Sequence, residues 1–282
     1  MTALRSWTPS DAAKWIRRPL SSDDKYSRGV VGIRTGSAEY PGAAVLGVEA
    51  AWRAGTGMVR YIGAPRAADL VLARRPETVT AAGRVQAWVL GSGTDAASRS
   101  DDETEALRGI LSGEVPVVVD AGAMDLAVGA TAPLIVTPHG REHDRLRQLL
   151  GLGAVADHPT GERVNAVQET AKTLGATVLL KGSTTLVAAP DGTVIEVEAG
   201  VPWLATAGTG DVLAGIMGAL VASHSDNMMN MTDAAEIAAA AAWVHGRAGD
   251  MASARFGAFG GPITALDVAD ATPAAIGELL TR

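Results

Sequence analysis

The chain of 282 residues carries 24 Lys and Arg against 31 Asp and Glu, a formal net charge of −7, which argues against nucleic acid as its main partner because neutralising phosphates takes a basic excess or stripe. With 47% apolar and 20% charged residues it can bury a sizeable core, and with no cysteine it has no thiol nucleophile, disulfide or cysteine-held metal. The charged N-terminus lacks the apolar run of a signal peptide, and no uninterrupted apolar stretch approaches the roughly 18 residues of a membrane span, so a cytoplasmic protein with no membrane partner is expected.

Along the chain, short β-branched runs alternate with Ala-rich ones, the pattern of βα units around a largely parallel sheet. Strands are predicted over 30–34, 58–63, 86–90, 115–120, 134–137 and 177–181, and helices over 42–54, 65–73, 101–111, 142–149 and 161–174. Residues 185–198 form a predicted hairpin around the turn Pro190-Asp191-Gly192. The character then becomes helical, with runs over 211–223 and about 232–255 joined by a polar, Met-rich loop. Thr232 or Asp233 is the expected N-cap of the second run, with Glu236 placed as a capping-box partner. No repeat or linker marks a second domain.

The stretch 200–222 is the most informative. The small-residue turn Ala207-Gly208-Thr209-Gly210 leads straight into an apolar-periodic helix near Asp211. Glycines let backbone N–H groups approach an anion, and a helix N-terminus adds positive potential, so the turn suits phosphate. Asp211 has two readings there: a helix N-cap, or a general base taking a proton from a hydroxyl that attacks a phosphoryl group. Other phosphate motifs fail. Lys181 precedes Gly182-Ser183, so there is no Walker loop, and neither Gly91-Ser92-Gly93 nor Gly208-Thr209-Gly210 completes a dinucleotide fingerprint.

Taken together, several segments resemble the ADP- or ATP-dependent NAD(P)H-hydrate dehydratases of the ribokinase-like superfamily. They are Lys25-Tyr26-Ser27-Arg28-Gly29, Tyr40-Pro41-Gly42-Ala43-Ala44, Leu90-Gly91-Ser92-Gly93, Val119-Asp120-Ala121-Gly122-Ala123-Met124, Thr137-Pro138-His139, Leu180-Lys181-Gly182-Ser183-Thr184-Thr185, Gly208-Thr209-Gly210-Asp211 and His245-Gly246-Arg247-Ala248-Gly249-Asp250. The Gly-Thr-Gly-Asp turn alone says only ribokinase-like kinase; the early Tyr-Pro-Gly-Ala-Ala segment narrows it. Three departures from the family pattern stand out: Gly140-Arg141 replaces the usual Pro-Gly after His139, Ala207 replaces a glycine, and Gly122 replaces a second aspartate.

The resemblance implies an α/β, ribokinase-like fold, a central mostly parallel sheet flanked by helices on both faces, formed by one domain over 25–282 after an N-terminal extension over 1–24. With about two dozen residues before Lys25, the epimerase domain fused to some relatives is not expected here. It implies a lyase that restores NADH and NADPH from the S epimers of NADHX and NADPHX, with ADP or ATP as co-substrate and Mg²⁺, functional coupling to a separate epimerase, and a homo-oligomer, a tetramer. Asp211 would be the base and the backbone of Gly208, Thr209 and Gly210 the anion hole. Lys181, Gly182, Ser183, Thr184, Thr185 and Gly210 would bind nucleotide, and Ala43, Gly93, His139 and Asp211 the hydrate.

Blander roles stand beside these. Ala43 allows close helix packing, Gly93 makes a strand-end turn, Lys181 is a solvated strand-end lysine, and His245 and Asp250 are structural. His139 and His143 are four apart, the spacing of two metal ligands on a helix, but Pro138 and Gly140 put His139 in a loop, and no protein metal site is expected. The alternatives are a ribokinase-like kinase of a vitamin precursor and a non-catalytic nucleotide-sensing module.

Overall fold

The computed structural model describes residues 4–155, 160–198, 200–224 and 231–281. Among these residues nine strands form one sheet: β1 (Leu4–Ser6), β2 (Val30–Arg34), β3 (Met58–Tyr61), β4 (Ala87–Leu90), β5 (Val117–Val119), β6 (Leu134–Val136), β7 (Thr177–Leu180), β8 (Thr184–Ala188) and β9 (Val194–Glu198), in the order β1-β9-β8-β7-β6-β5-β4-β2-β3. Among the described residues every pairing is parallel except those of β8, which runs antiparallel to β7 and β9. The fold is therefore the expected α/β architecture. Ladder pairs such as Val31 with Ala87 and Val119 with Val136 fix the register, so the ends of neighbouring strands finish level.

Side chains alternate across each strand, and the two faces feed two cores. Val31, Ile33, Val89, Val118, Ile135 and Leu179 enter one cluster, with α1 (Pro9–Ala13), α2 (Pro41–Arg53), α3 (Pro65–Arg74), α7 (Thr209–His224), α8 (Met231–Ala254) and α9 (Ala265–Leu280) on that face. Leu90, Val117, Val119, Val136, Val178 and Leu180 enter the other, under α4 (Asp101–Leu111), α5 (Gly140–Leu149) and α6 (Thr160–Leu174). No helix among the described residues is long and apolar enough to cross a membrane.

The predicted strands and helices lie where expected within a few residues, and 101–111 coincides with α4. Three elements were not expected. β1 and α1 belong to the segment before Lys25; β1 pairs with β9, and Trp7 and Ala12 are buried. α9 is capped by Thr264 and Asp267 but carries Pro273 inside it. The helix expected from Thr232 begins instead at Met231, so Thr232 lies in its first turn and its hydroxyl donates to Asp191 at 2.7 Å. Glu236 makes no capping box; it accepts from Arg5 (2.5 Å) and the Trp15 indole (2.9 Å) and ties the first strand to α8. Of the expected Met-rich loop, residues 225–230 lie outside the described ones.

Candidate active site

In a parallel sheet, ligands gather where the strands end. Here the carboxyl ends of β4, β5, β6 and β7 deliver Ser92, Asp120, Thr137 and Lys181 to one buried point. Asp120, 3% exposed, accepts hydrogen bonds from Ser92 Oγ (2.9 Å), Thr137 Oγ1 (2.7 Å) and Lys181 Nζ (2.7 Å). Burial alone would raise its proton affinity, but the Lys181 ammonium and these donors outweigh it and hold Asp120 below the ordinary carboxylate range. Lys181 is correspondingly raised: desolvation works against its charge, and Asp120, Glu142 and Asp211 more than offset it.

The glycine turn lies against this cluster. α7 begins at Thr209, so Asp211 is the third residue of its first turn and not the cap. An idealised Cβ on Gly210 would sit 3.5 Å from Lys181 Nζ, which puts the ammonium beside the turn's backbone. Gly208 has φ +91°, and a side chain there would press on Leu46 at 2.5 Å and Ala265 at 3.0 Å, so only glycine fits. The Asp211 carboxyl is pushed up to about 7 by burial and by the neighbouring Asp120 charge, against the partial opposition of Lys181 and Ser92. A carboxylate in that range is a proton acceptor near neutrality.

On the other flank, Ala43 on α2 and Gly93 after β4 meet. Gly93 has φ +65°, and a side chain there would overlap the Ala43 methyl and approach the Tyr40 carbonyl at 2.9 Å. His139 is the N-cap of α5: its Nδ1 accepts from the Glu142 N–H (3.3 Å), while Glu142 Oε2 accepts from the His139 N–H (2.8 Å). Gly140 thus stands at the first helical position, where proline is at home, which explains how the altered loop keeps its helix. His143 points into the core, its Nε2 2.9 Å from Thr170 Oγ1, so the two histidines do not face one ligand. Gly122 could not be aspartate in this backbone, since a Cβ there would overlap the Thr94 carbonyl oxygen.

The segment from Lys181 to Thr185 is the tight connection from β7 into β8, with Thr184 and Thr185 already in β8 and Arg163 of α6 leaning over Gly182. His245 on α8 sits near Lys181 and the Thr209 backbone; burial lowers it to about 4, so it is neutral. Among the described residues its Nε2 is buried without a partner. A cavity of about 550 Å³ is lined by Thr94, Ala121, Gly122, Glu142, Arg145 and Leu149 among others; Thr94 follows Gly93 in the chain, and Glu142 accepts from the His139 N–H.

Sequence reasoning placed Asp211, the turn, Lys181, Ala43, Gly93 and His139, and the structure gathers them at one end of the sheet. It gave no role to Asp120, Ser92, Thr137, Glu142 or Arg163. Strand-end position was the available signal, because Asp120, Thr137 and Lys181 each close a predicted run and Ser92 lies two residues beyond one.

The sequence model of the NAD(P)H-hydrate dehydratase family matches residues 31–273. A bifunctional NAD(P)H-hydrate repair enzyme of Mycobacterium leprae is 42% identical over 257 residues, 87% of this chain and 50% of that one, so the chain spans about half the length of this relative. An ADP-dependent (S)-NAD(P)H-hydrate dehydratase of Neisseria meningitidis is 36% identical over 243 residues, covering 79% of this chain and 77% of that one. The crystal structure of an ADP/ATP-dependent NAD(P)H-hydrate dehydratase from Bacillus subtilis, co-crystallised with ATP and Mg²⁺, superposes with a TM-score of 0.83 at 22% identity, covering 99% of this chain and 100% of that one. That likeness is one of fold.

Proposed function

The chain belongs to the NAD(P)H-hydrate dehydratase family, and we propose that it restores NADH and NADPH from the S epimers of their hydrates at the expense of ADP or ATP. The observation that carries the reading is Asp211, a carboxyl poised at about 7, between a glycine turn backed by Lys181 and the Ala43 and Gly93 pair. The 6-hydroxyl of the hydrate is a poor leaving group. Asp211 takes its proton while the oxygen attacks the terminal phosphoryl of the nucleotide, and the bond to the nucleotide breaks toward the departing phosphate chain. The backbone N–H groups at Gly208, Thr209 and Gly210 and the Lys181 ammonium neutralise the charge that develops. With the oxygen now bonded to phosphorus, the original C6–O bond breaks and its electron pair leaves with the phosphate, C5 gives up a proton, and the 5,6 double bond returns.

On this layout the nucleotide phosphates lie at Gly210 and Lys181, with the rest of the nucleotide along Gly182, Ser183, Thr184 and Thr185. The reacting ring lies at Ala43, Gly93 and His139, and the neighbouring cavity has room for the remainder of a dinucleotide. A vitamin-sized substrate would leave that cavity empty. Among the described residues there is no group of three or more His, Asp or Glu side chains placed to hold a metal, and Asp120 already accepts from three donors. These residues do not form a resident magnesium site. Magnesium is therefore read as the counterion that arrives on the nucleotide phosphates. The same reading makes the protein a cytoplasmic homo-oligomer, a tetramer, that draws its S epimer from a separate epimerase. Exposed Tyr40, Trp203, Phe256 and Phe259 supply apolar surface for self-association.

The test is recovery of absorbance at the reduced-nicotinamide band from NADHX. It should require ADP or ATP together with Mg²⁺. Equal recovery without nucleotide would sink the phosphorylation step.

A further inference from the structure

We propose that Asp120 is a positioning residue of this site: its carboxylate aims the Lys181 ammonium at the glycine turn and sets a fixed negative charge beside Asp211. The inference rests on the dehydratase reading for its role in turnover. Its geometric basis does not.

One buried carboxylate accepts from donors at the ends of β4, β6 and β7 and itself ends β5, so it ties together four adjacent strands. A buried, ionised group is costly unless its lone pairs are met, and here they are met by three donors. The following residue, Ala121, is the one non-glycine with positive φ, +45°, among the described residues. Backbone of that kind persists where surrounding structure demands it. Lys181 is thereby held rather than left to solvent: its ammonium lies 2.7 Å from Asp120 Oδ1 and 3.9 Å from Glu142 Oε2, facing Gly210.

The charges acting on Asp211 and Lys181 come from several neighbouring elements, with Arg163 of α6 nearby over Gly182. Asp120 comes from β5, Glu142 from α5 and Asp211 from α7, while His245 on α8 is neutral. Asp120 and Lys181 act on Asp211 with opposite sign. Removing the Asp120 charge takes away a repulsion and leaves the ammonium uncompensated, and both changes lower the proton affinity of Asp211. Removing the ammonium raises it.

The experiment is a carboxyl ¹³C titration of Asp-labelled protein without substrate, the Asp211 resonance being assigned by its loss in Asp211→Asn, joined to pH profiles of kcat/KM. In Asp120→Asn the Asp211 midpoint should fall by about one pH unit or more, the scale expected when a like charge at close range is removed. The acid limb of kcat/KM should move with it, and kcat should drop. Asp120→Glu keeps the charge and should restore the midpoint while leaving kcat reduced, because the longer arm misplaces Lys181. Lys181→Met should move the midpoint upward and keeps the question answerable if Asp120→Asn does not fold. Unmoved midpoints in folded Asp120→Asn, or shifts of the same sign in Asp120→Asn and Lys181→Met, overturn the proposal. The titration needs no hydrate, so an inert wild type with the expected shifts would overturn the dehydratase reading and leave the positioning role standing.

Discussion

At the scale of single residues, Asp211 lies in the first turn of α7 and not at its N-cap, so the base role proposed for it can be tested apart from capping. Asp211→Asn should cut turnover on the order of 10²–10⁴-fold, the usual worth of a general base, measured by NADHX recovery. Stability should move the other way. A carboxyl raised from 3.8 to about 7 favours the folded state while protonated, and that contribution is lost as pH rises from about 4 through about 7. The gap corresponds to at most ~4 kcal/mol. The melting temperature of Asp211→Asn should therefore exceed that of the wild type at pH 8, with the difference shrinking toward pH 4. A lower melting temperature at pH 8 would contradict the buried, raised carboxyl. On the other flank, Gly93→Ala should raise KM for the hydrate while sparing nucleotide binding, since the added methyl overlaps Ala43 and the left-handed φ is lost to strain. Unchanged hydrate KM would remove Gly93 from the substrate side.

At the scale of elements, the site depends on how closely α2 and α7 cross. A Cβ on Gly215 would overlap the Gly47 carbonyl oxygen and lie 2.9 Å from the Ala50 methyl, and Gly47 itself abuts the Asp211 backbone. Because the obstacle is helix backbone, Gly215→Ala must push the helices apart, which costs about 1–3 kcal/mol as overpacking. Since α2 carries Ala43 and α7 carries Asp211, kcat/KM should fall together with the melting temperature. A stable variant with full activity would show that the crossing has slack. These two glycines were visible in the sequence only as breaks in Ala-rich runs. The βα alternation was legible because each strand is a short β-branched run with its helix beside it. α9 was not, since Pro273 interrupts its pattern; the helix survives with Val268 and Ala269 buried in the core and the Thr272 hydroxyl donating to the Val268 carbonyl at 3.0 Å. β1 is three residues long and gains meaning only from pairing with distant β9. That the Asp120 residues converge was hidden for the same reason, although each sits near a strand end: the donors lie 28, 17 and 61 residues away in sequence. The turn at Gly208 to Asp211 could be read because its chemistry is contiguous.

At the scale of the whole molecule, the proposed layout, with nucleotide and hydrate on opposite sides of Asp211, can be tested through stability without any turnover. A ligand that binds only the folded state stabilises it by RT ln(1 + [L]/Kd), about 2.7 kcal/mol at a hundredfold excess over Kd. For a chain of 282 residues, with an unfolding entropy of roughly 2.1 cal/mol/K per residue, that amounts to a rise in melting temperature of about 4–5 °C. ADP should produce this shift in the wild type and in Gly93→Ala, whose defect lies on the other flank. Gly210→Val should lose most of it. The first carbon of that side chain would sit at ordinary contact distance, 3.5 Å from Lys181 Nζ, so the fold tolerates it, but the branch beyond it occupies the space between the ammonium and the turn where a phosphate must enter. Binding of a non-reacting dinucleotide analogue should show the reverse pattern, retained in Gly210→Val and weakened in Gly93→Ala. If ADP stabilises Gly210→Val as fully as the wild type, or if Gly93→Ala abolishes the ADP shift, the phosphates do not lie between Gly210 and Lys181 and the two halves of the site must be exchanged.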